Sequence, residues 1–169
     1  MTTTSVFINT FTHSVAYVTD KMLASLKNII KMSGLHPGRF VGQWLVLEEG
    51  IKVWLKSRHL SILILEIFNP ATNKLAVRWD IGVRYSSASD DDGTFWTDPE
   101  AIKIAIMKAG AVPSTCSYAV IAILEPGFQQ VNGWGTTTLR STEGHVKFSV
   151  GTTIAANPVA TDLSYWKPK

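Results

Sequence analysis

The sequence predicts an α+β domain: helices packed on one face of an antiparallel β-sheet, with a long C-terminal tract wrapped around that core. Three observations carry the prediction. From Leu75 to Tyr85 the odd positions Leu75, Val77, Trp79, Ile81, Val83 and Tyr85 are apolar, while the positions between them are small or charged, which is the period of a strand. Upstream and downstream of it, apolar residues recur at steps of three and four, the period of a helix. Finally, Glu125 to Lys169 holds five glycines and three prolines yet also Phe128, Val131, Trp134, Leu139, Val146, Phe148, Ile154, Tyr165 and Trp166, too many large apolar groups for a solvated tail.

Taken in order, Met1 to Thr12 is Thr-rich with a short apolar beat at Val6, Phe7 and Ile8, and reads as an edge strand or a loose tail. A helix follows from about Ser14, with Val15, Val18, Met22, Leu26 and Ile29 on one face; Ser14 or Thr12 caps its start and Gly34 supplies a left-handed stop. A second helical stretch spans about Pro37 to Ser57, with Phe40, Trp44, Leu47, Ile51 and Trp54 or Leu55 on one side. Gly42 and Gly50 each weaken it by roughly 1 kcal/mol relative to Ala, so a break there is expected.

Ser61 to Ser86 reads as one long β-hairpin around the Asn69-Pro70-Ala71-Thr72-Asn73 turn. Closing it with Asn69 near Leu75 sets Leu63, Leu65 and Ile67 opposite Ile81, Trp79 and Val77 on one face, and Glu66 opposite Arg78 on the other. A slip of one residue would ruin both faces. Ser87 to Gly93 is a polar loop. Thr97-Asp98-Pro99-Glu100 then starts a helix that shows Ile102, Ala105, Ile106 and Ala109 as its stripe and stops at Gly110. Tyr118 to Leu124 is a third strand. In the final tract no long helix or strand is expected, only short strands around Thr137 to Ser141 and Val146 to Gly151.

The totals bound the function classes. A chain of 169 residues with 46% hydrophobic content is one domain with a full core. A net charge of +3 with no basic run argues against nucleic acid as a direct ligand. Cys116 is the single cysteine, so no intrachain disulfide forms and a reducing compartment is expected. Apolar runs such as Leu60 to Leu65 are far too short to span a bilayer, and no charged-then-apolar leader is seen, which together predict a soluble cytoplasmic protein.

No active site can be built from these residues. His13, His36, His59 and His145 are far apart in sequence and make no zinc pattern with one cysteine, so neither metal nor cofactor is expected. Asp90-Asp91-Asp92-Gly93 lacks the alternate-position spacing and distal Glu of a calcium loop and reads as a solvated turn. Cys116 reads as a small buried hydrophobe. Trp44, Trp54 and Trp79 fall on the apolar periodicity of their elements and read as core; Trp96, Trp134 and Trp166 lie in connecting or terminal segments, where anchoring the wrap competes with contacting a ligand.

Several runs carry a resemblance: Thr12-His13-Ser14-Val15 through Tyr17-Val18-Thr19-Asp20, Leu65-Glu66-Ile67 with Asn69-Pro70-Ala71-Thr72, Arg78-Trp79-Asp80-Ile81, Asp92-Gly93-Thr94-Phe95-Trp96-Thr97-Asp98, and Arg140-Ser141-Thr142. In this order, from Thr12 to Trp166, they resemble the bacterial HORMA-domain proteins of CBASS anti-phage operons, of the family 1 type. The resemblance implies a HORMA-like fold: three helices on an antiparallel sheet, with an N-terminal segment (1–11), a helix and sheet body (12–124) and a C-terminal safety belt (125–169). It further implies a non-catalytic switch whose belt closes over a short peptide, the closure motif, from a phage component or a sister HORMA protein. The closed form is expected to activate a cGAS/DncV-like nucleotidyltransferase (CD-NTase), and an AAA+ remodeller to reopen it through the N-terminal segment.

On that reading the peptide lies against Tyr118, Val120, Ala122, Leu124, Trp134, Leu139 and Phe148, and the remodeller takes hold of Val6, Phe7 and Ile8. Two alternatives stay open at this point: a small metal-dependent enzyme using the Asp90 to Asp92 loop with a histidine, and a static structural partner with a fixed tail.

Overall fold

In the computed structural model, which describes residues 1–4, 11–87 and 95–169, the sheet is built outward from the central hairpin. Strands β1 (Leu60–Asn69) and β2 (Lys74–Tyr85) pair in the register read from the sequence, Leu63 with Ile81, Leu65 with Trp79, Glu66 with Arg78 and Ile67 with Val77. A register shift between Ile67 and Phe68 then brings Asn69 opposite Lys74 instead of Leu75. The Asn69 side chain accepts from the Ala71 amide, and Asn73 takes the left-handed conformation at φ 59° that closes the turn.

Helix α1 (Phe11–Met32) begins three residues earlier than expected, and Ser14 does not cap it: its Oγ donates to the Asn157 carbonyl 2.8 Å away. The expected stop holds, since Gly34 sits at φ 94° while the Leu35 amide reaches back to the Ile30 carbonyl. Of the two glycines expected to weaken the second helical stretch, only Gly42 marks a break, giving α2 (Gly38–Gly42) and α3 (Trp44–Lys56), and α3 runs through Gly50. The residues read as three helices therefore form four. A two-residue strand, β3 (Trp96–Thr97), precedes α4 (Pro99–Ala109), which Asp98 caps by accepting from the Ala101 amide; Thr97 donates to the Thr153 carbonyl instead. Strand β4 (Ser117–Leu124) pairs antiparallel with β1.

The C-terminal tract departs most from expectation. Residues 137–141 form no strand, while β5 (His145–Ala156) and β6 (Val159–Pro168) are long strands joined by a two-residue turn at Asn157-Pro158. Their hairpin pairs with β2 through β6, giving the order β3-β5-β6-β2-β1-β4. The glycine that argued against a strand, Gly151, is accommodated at φ 104° beside a register shift in β5.

Alternation assigns the faces. Leu63, Leu65, Ile67, Val77, Trp79 and Ile81 meet Val18, Met22, Leu26, Ile51 and Trp54 of the helices in a single buried core, completed from β6 by Leu163 and Tyr165. The opposite face buries charge: Glu66 is fully buried and Asp80 nearly so. Glu66 and Arg78 are opposed in register, yet they do not pair. Arg78 donates to Asp80, two positions along its own strand, at 2.7 and 2.8 Å, and Glu66 finds its partner in Arg140.

Candidate functional site

The two edges of this sheet are unlike. At the β5 edge, β3 covers only Ile154 and Ala155, and beyond them the strand carries register shifts at Ser149/Gly151 and Thr152/Ile154 and the charged Lys147, devices that discourage a further strand. The β4 edge is regular from Ser117 to Ile123, with one shift at its far end between Leu60 and Ile62. Tyr118 to Leu124 is wholly apolar. A regular apolar edge of this kind is a template for an incoming strand.

Parity shows which groups it offers. The Glu125 amide donates to the His59 carbonyl, so position 125 faces β1. Alternate residues of an antiparallel strand point their main-chain groups to opposite sides, so Ile123, Ile121 and Ala119 also face β1, while Leu124, Ala122, Val120 and Tyr118 face outward. The Tyr118 carbonyl accepts from Arg39 Nη2 at 3.0 Å, in agreement with that parity. No backbone hydrogen bond among the described residues joins the outward groups of Val120, Ala122 and Leu124 to the rest of the chain.

This edge is roofed. After Leu124, residues 125–144 carry no helix or strand, but they are held at several points. Trp54 Nε1 donates to the Gln129 carbonyl at 2.8 Å, Trp134 Nε1 donates to the Val46 carbonyl at 2.9 Å, and Val131 is buried. Trp134 lies edge-on to Trp54 with centroids 4.9 Å apart, and Phe128 does the same from 6.3 Å. The close approach of Trp134 to α3 requires a residue without a Cβ at position 50, where any Cβ would collide with the indole. These contacts lie in the helix layer.

On the opposite face Arg140 closes the loop. Its amide donates to Glu66 Oε2 at 2.7 Å, its Nη1 to Oε1 at 2.5 Å and its Nε to Asn73 Oδ1 at 3.0 Å, with the guanidinium 3.4 Å from the Phe68 ring centroid. Residues 125–144 thus start at the end of β4, pack on α3, round the β4 edge and land on the far face of the sheet. Between roof and edge lies a cavity of about 240 Å³ lined by Val120 to Leu124, Trp54, Phe128, Trp134 and Leu139. Phe128 and Leu139 are 37% and 39% exposed at its rim.

Of the residues named from sequence, Val120, Ala122, Leu124, Trp134 and Leu139 meet at this cavity. Tyr118 lies at its end, where its hydroxyl donates to the His36 carbonyl at 2.9 Å and accepts from the Phe40 amide at 3.2 Å, pinning α2 to β4. Phe148 is elsewhere: it stacks on Tyr165 in the β5–β6 hairpin, separated from β4 by β6, β2 and β1. Val6, Phe7 and Ile8, and likewise Asp90 to Asp92, lie outside the described residues. Trp54 is a cavity residue that sequence periodicity assigned to the core, and it serves both. Cys116 is partly buried, and burial pushes its thiol above the usual range. Among the described residues no group of three or more His, Cys, Asp or Glu is placed to hold a metal ion, and no helix is long and apolar enough to cross a membrane.

Helices on one face of the sheet, together with a C-terminal hairpin reached by a segment that rounds the opposite edge, define a HORMA fold. The family model for Bacterial HORMA domain 2 matches residues 3–169, and the chain belongs to that family. Among solved structures, the chain is similar to C. elegans HTP-2 bound to an HTP-3 closure motif (TM-score 0.75, 9% identity, 95% of this chain and 88% of that one). It is also similar to a chain of the mitotic checkpoint complex (TM-score 0.72, 10% identity, 90% and 97%). A chain of the E. coli MS115-1 CdnC:HORMA-deltaN complex matches over 100% of this chain and 94% of that one, with TM-score 0.56 and 13% identity. At these identities the likeness is one of fold. Among curated proteins nothing matches the sequence.

Proposed function

We propose that this protein is a non-catalytic switch that captures a short extended peptide as an added strand on β4, beneath residues 125–144. The observation that carries this reading is the regular, apolar, outward-facing edge at Val120 to Leu124 with a roof already strapped across it. Three outward residues offer about six main-chain groups, each worth roughly 1 kcal/mol net when paired, and the cavity walls add contacts for alternate side chains. A peptide held there leaves only when the roof lifts, which requires unseating Trp134 from α3 and Arg140 from Glu66. Dissociation is therefore slow, and a roof that must open and close makes the domain a two-state element.

In this reading 125–144 is the moving belt, while β5 and β6, although C-terminal, belong to the sheet they complete. The peptide-bound form acts on a partner enzyme, a CD-NTase that makes a nucleotide signal in anti-phage defence, and an AAA+ remodeller reopens it through residues 1–11. The closure motif bound to HTP-2 and the CdnC assembled with a HORMA chain in the E. coli complex support peptide and nucleotidyltransferase as the two partners. The test selects binders from a displayed random peptide library, then measures their dissociation and the activity of the nucleotidyltransferase with protein alone and with protein plus peptide. Slow release and peptide-dependent activation are expected. Failure to select any peptide would remove the reading, and binding without activation would remove the partner enzyme from it.

A further inference from the structure

The two ends of the β4 slot carry opposite charge, and the stretch between them carries none. Of the side chains around the cavity, the polar ones are Gln130, Thr136, Thr137 and the Trp54 and Trp134 indoles, all uncharged. A charged group held among them would lose its hydration with nothing to replace it. At the Ser117 end stands Arg39. It donates from Nη2 to the Tyr118 carbonyl and from Nη1 to Ser117 Oγ at 3.1 Å, and lies 5.3 Å from the Tyr118 ring centroid. Tyr118 is itself anchored on α2, so the guanidinium has a defined place.

Two consequences follow for any added strand. The first outward carbonyl of β4 is already taken, so the ladder open to a ligand begins at Val120. Arg39 also brings a positive charge to that point with no carboxylate within 4 Å among the described residues, and two of its five N–H donors account for the contacts above. At the other end Glu125 follows Leu124, with its carboxylate accepting from Ser61 Oγ at 2.7 Å.

We infer that the peptide taken by this slot has an uncharged, apolar paired stretch and a carboxylate at the end beside Ser117, received by Arg39. The inference rests on the strand-addition reading above and specifies its ligand. A strand antiparallel to β4 directs its C-terminal end toward Ser117, so the carboxylate is either an Asp or Glu side chain or the peptide's own terminus. Arg39 in this account is a register and specificity residue: it ends the ladder and selects the charge that follows it.

The test uses synthetic peptide pools on the full chain. Five central positions are randomised among Val, Ile, Leu, Phe and Thr, flanked at one end by Asp or Lys, each made with a free and with an amidated C-terminus. Peptides with Asp at the Arg39 end should bind about three- to tenfold tighter than their Lys counterparts, the range of a partly exposed ion pair. Arg39→Glu should reverse the preference and Arg39→Gln should level it. Arg39→Lys, which keeps the charge, should retain it. Tighter binding of the free acid than of the amide, whatever the flanking residue, identifies the terminus, and a preference for Asp over Lys that survives amidation identifies the side chain. Thermal unfolding of each variant shows that the fold is kept, and added salt should shrink the wild-type preference without altering the central sequence selected. Equal binding of Asp and Lys peptides together with equal binding of free-acid and amidated peptides, or a preference untouched by Arg39→Glu, would overturn the inference and leave strand addition standing. Absence of binding by every pool would overturn strand addition itself.

Discussion

Replacing Arg140 by Ala tests how residues 125–144 are fastened to the sheet. Glu66 is fully buried, and its two oxygens accept from the Nη1 and the amide of Arg140 at 2.5 and 2.7 Å. The substitution removes the charge-assisted bond to Oε1, the link to Asn73 and the stacking on Phe68, and leaves only the amide bond. Taking one partner from a buried ion pair costs about 3–5 kcal/mol when the orphaned charge stays buried. Here the segment can lift and return Glu66 to water, so the loss is capped by the cost of opening, and about 2–4 kcal/mol is expected. Urea unfolding of Arg140→Ala, Glu66→Gln and the double variant measures it. The cycle should give a coupling of about 1.5–3 kcal/mol, because the neutral amide is cheaper to bury once the arginine is gone. Native-state hydrogen exchange should quicken across 125–144 while β1 and β2 stay protected. A single-variant loss below about 0.5 kcal/mol, or a coupling of that size, would refute the argument, since it would put the pair in the class of exposed ion pairs.

The remaining predictions read other contacts. Gly50→Ala should destabilise by about 1–3 kcal/mol through the collision with Trp134, although Ala is the better helix former by about 1 kcal/mol; a gain in the urea midpoint would show that Trp134 is not seated as described. Tyr118→Phe leaves the His36 carbonyl and Phe40 amide without their bridge and should cost about 1–2 kcal/mol in thermal unfolding, with faster exchange in α2; unchanged exchange there would contradict the bridge. The hydrogen bond from Arg84, with a smaller contribution from Thr152, holds the Asp162 carboxyl below the usual range against the opposing effect of burial. Its contribution is present above the unfolded pKa of about 3.9 and is lost as pH falls through the lower folded value, so Asp162→Asn should flatten the acid limb of the stability profile below about pH 4. An acid limb identical in both proteins would refute that assignment.

What the sequence made legible follows from whether the signal is local. The β1–β2 register was readable because both faces of the hairpin constrain it at once, and α4 because Asp98, Pro99 and Gly110 mark its ends chemically. Strand β4 was readable as an apolar run, and the break after Gly42 as a lapse in helix propensity. Strands β5 and β6 were misread because glycine and proline were counted as punctuation over the whole tract. Yet Val159, Thr161, Leu163 and Tyr165 alternate with Ala160, Asp162, Ser164 and Trp166, and Asn157-Pro158 is a turn dipeptide, so a window confined to these residues holds the signal. Glu66 does stand opposite Arg78, as the register implied, but its ion-pair partner lay beyond any local pattern, because Arg140 is 74 residues away along the chain. The cavity was half visible. Val120, Ala122, Leu124, Trp134 and Leu139 could be named from the edge strand and the aromatics, but Phe148 could not be separated from them without the strand order, and nothing in the local pattern singles out Arg39.

The central claim is that a peptide pairs with the outward groups of β4. Residue-resolved amide exchange, with and without a peptide selected for binding, tests it most directly. The account predicts new protection at Val120, Ala122 and Leu124, with Ile121 and Ile123, already bonded to β1, little changed. Protection that ignores this alternation, or that appears on the β5 edge while these three amides continue to exchange freely, would contradict it.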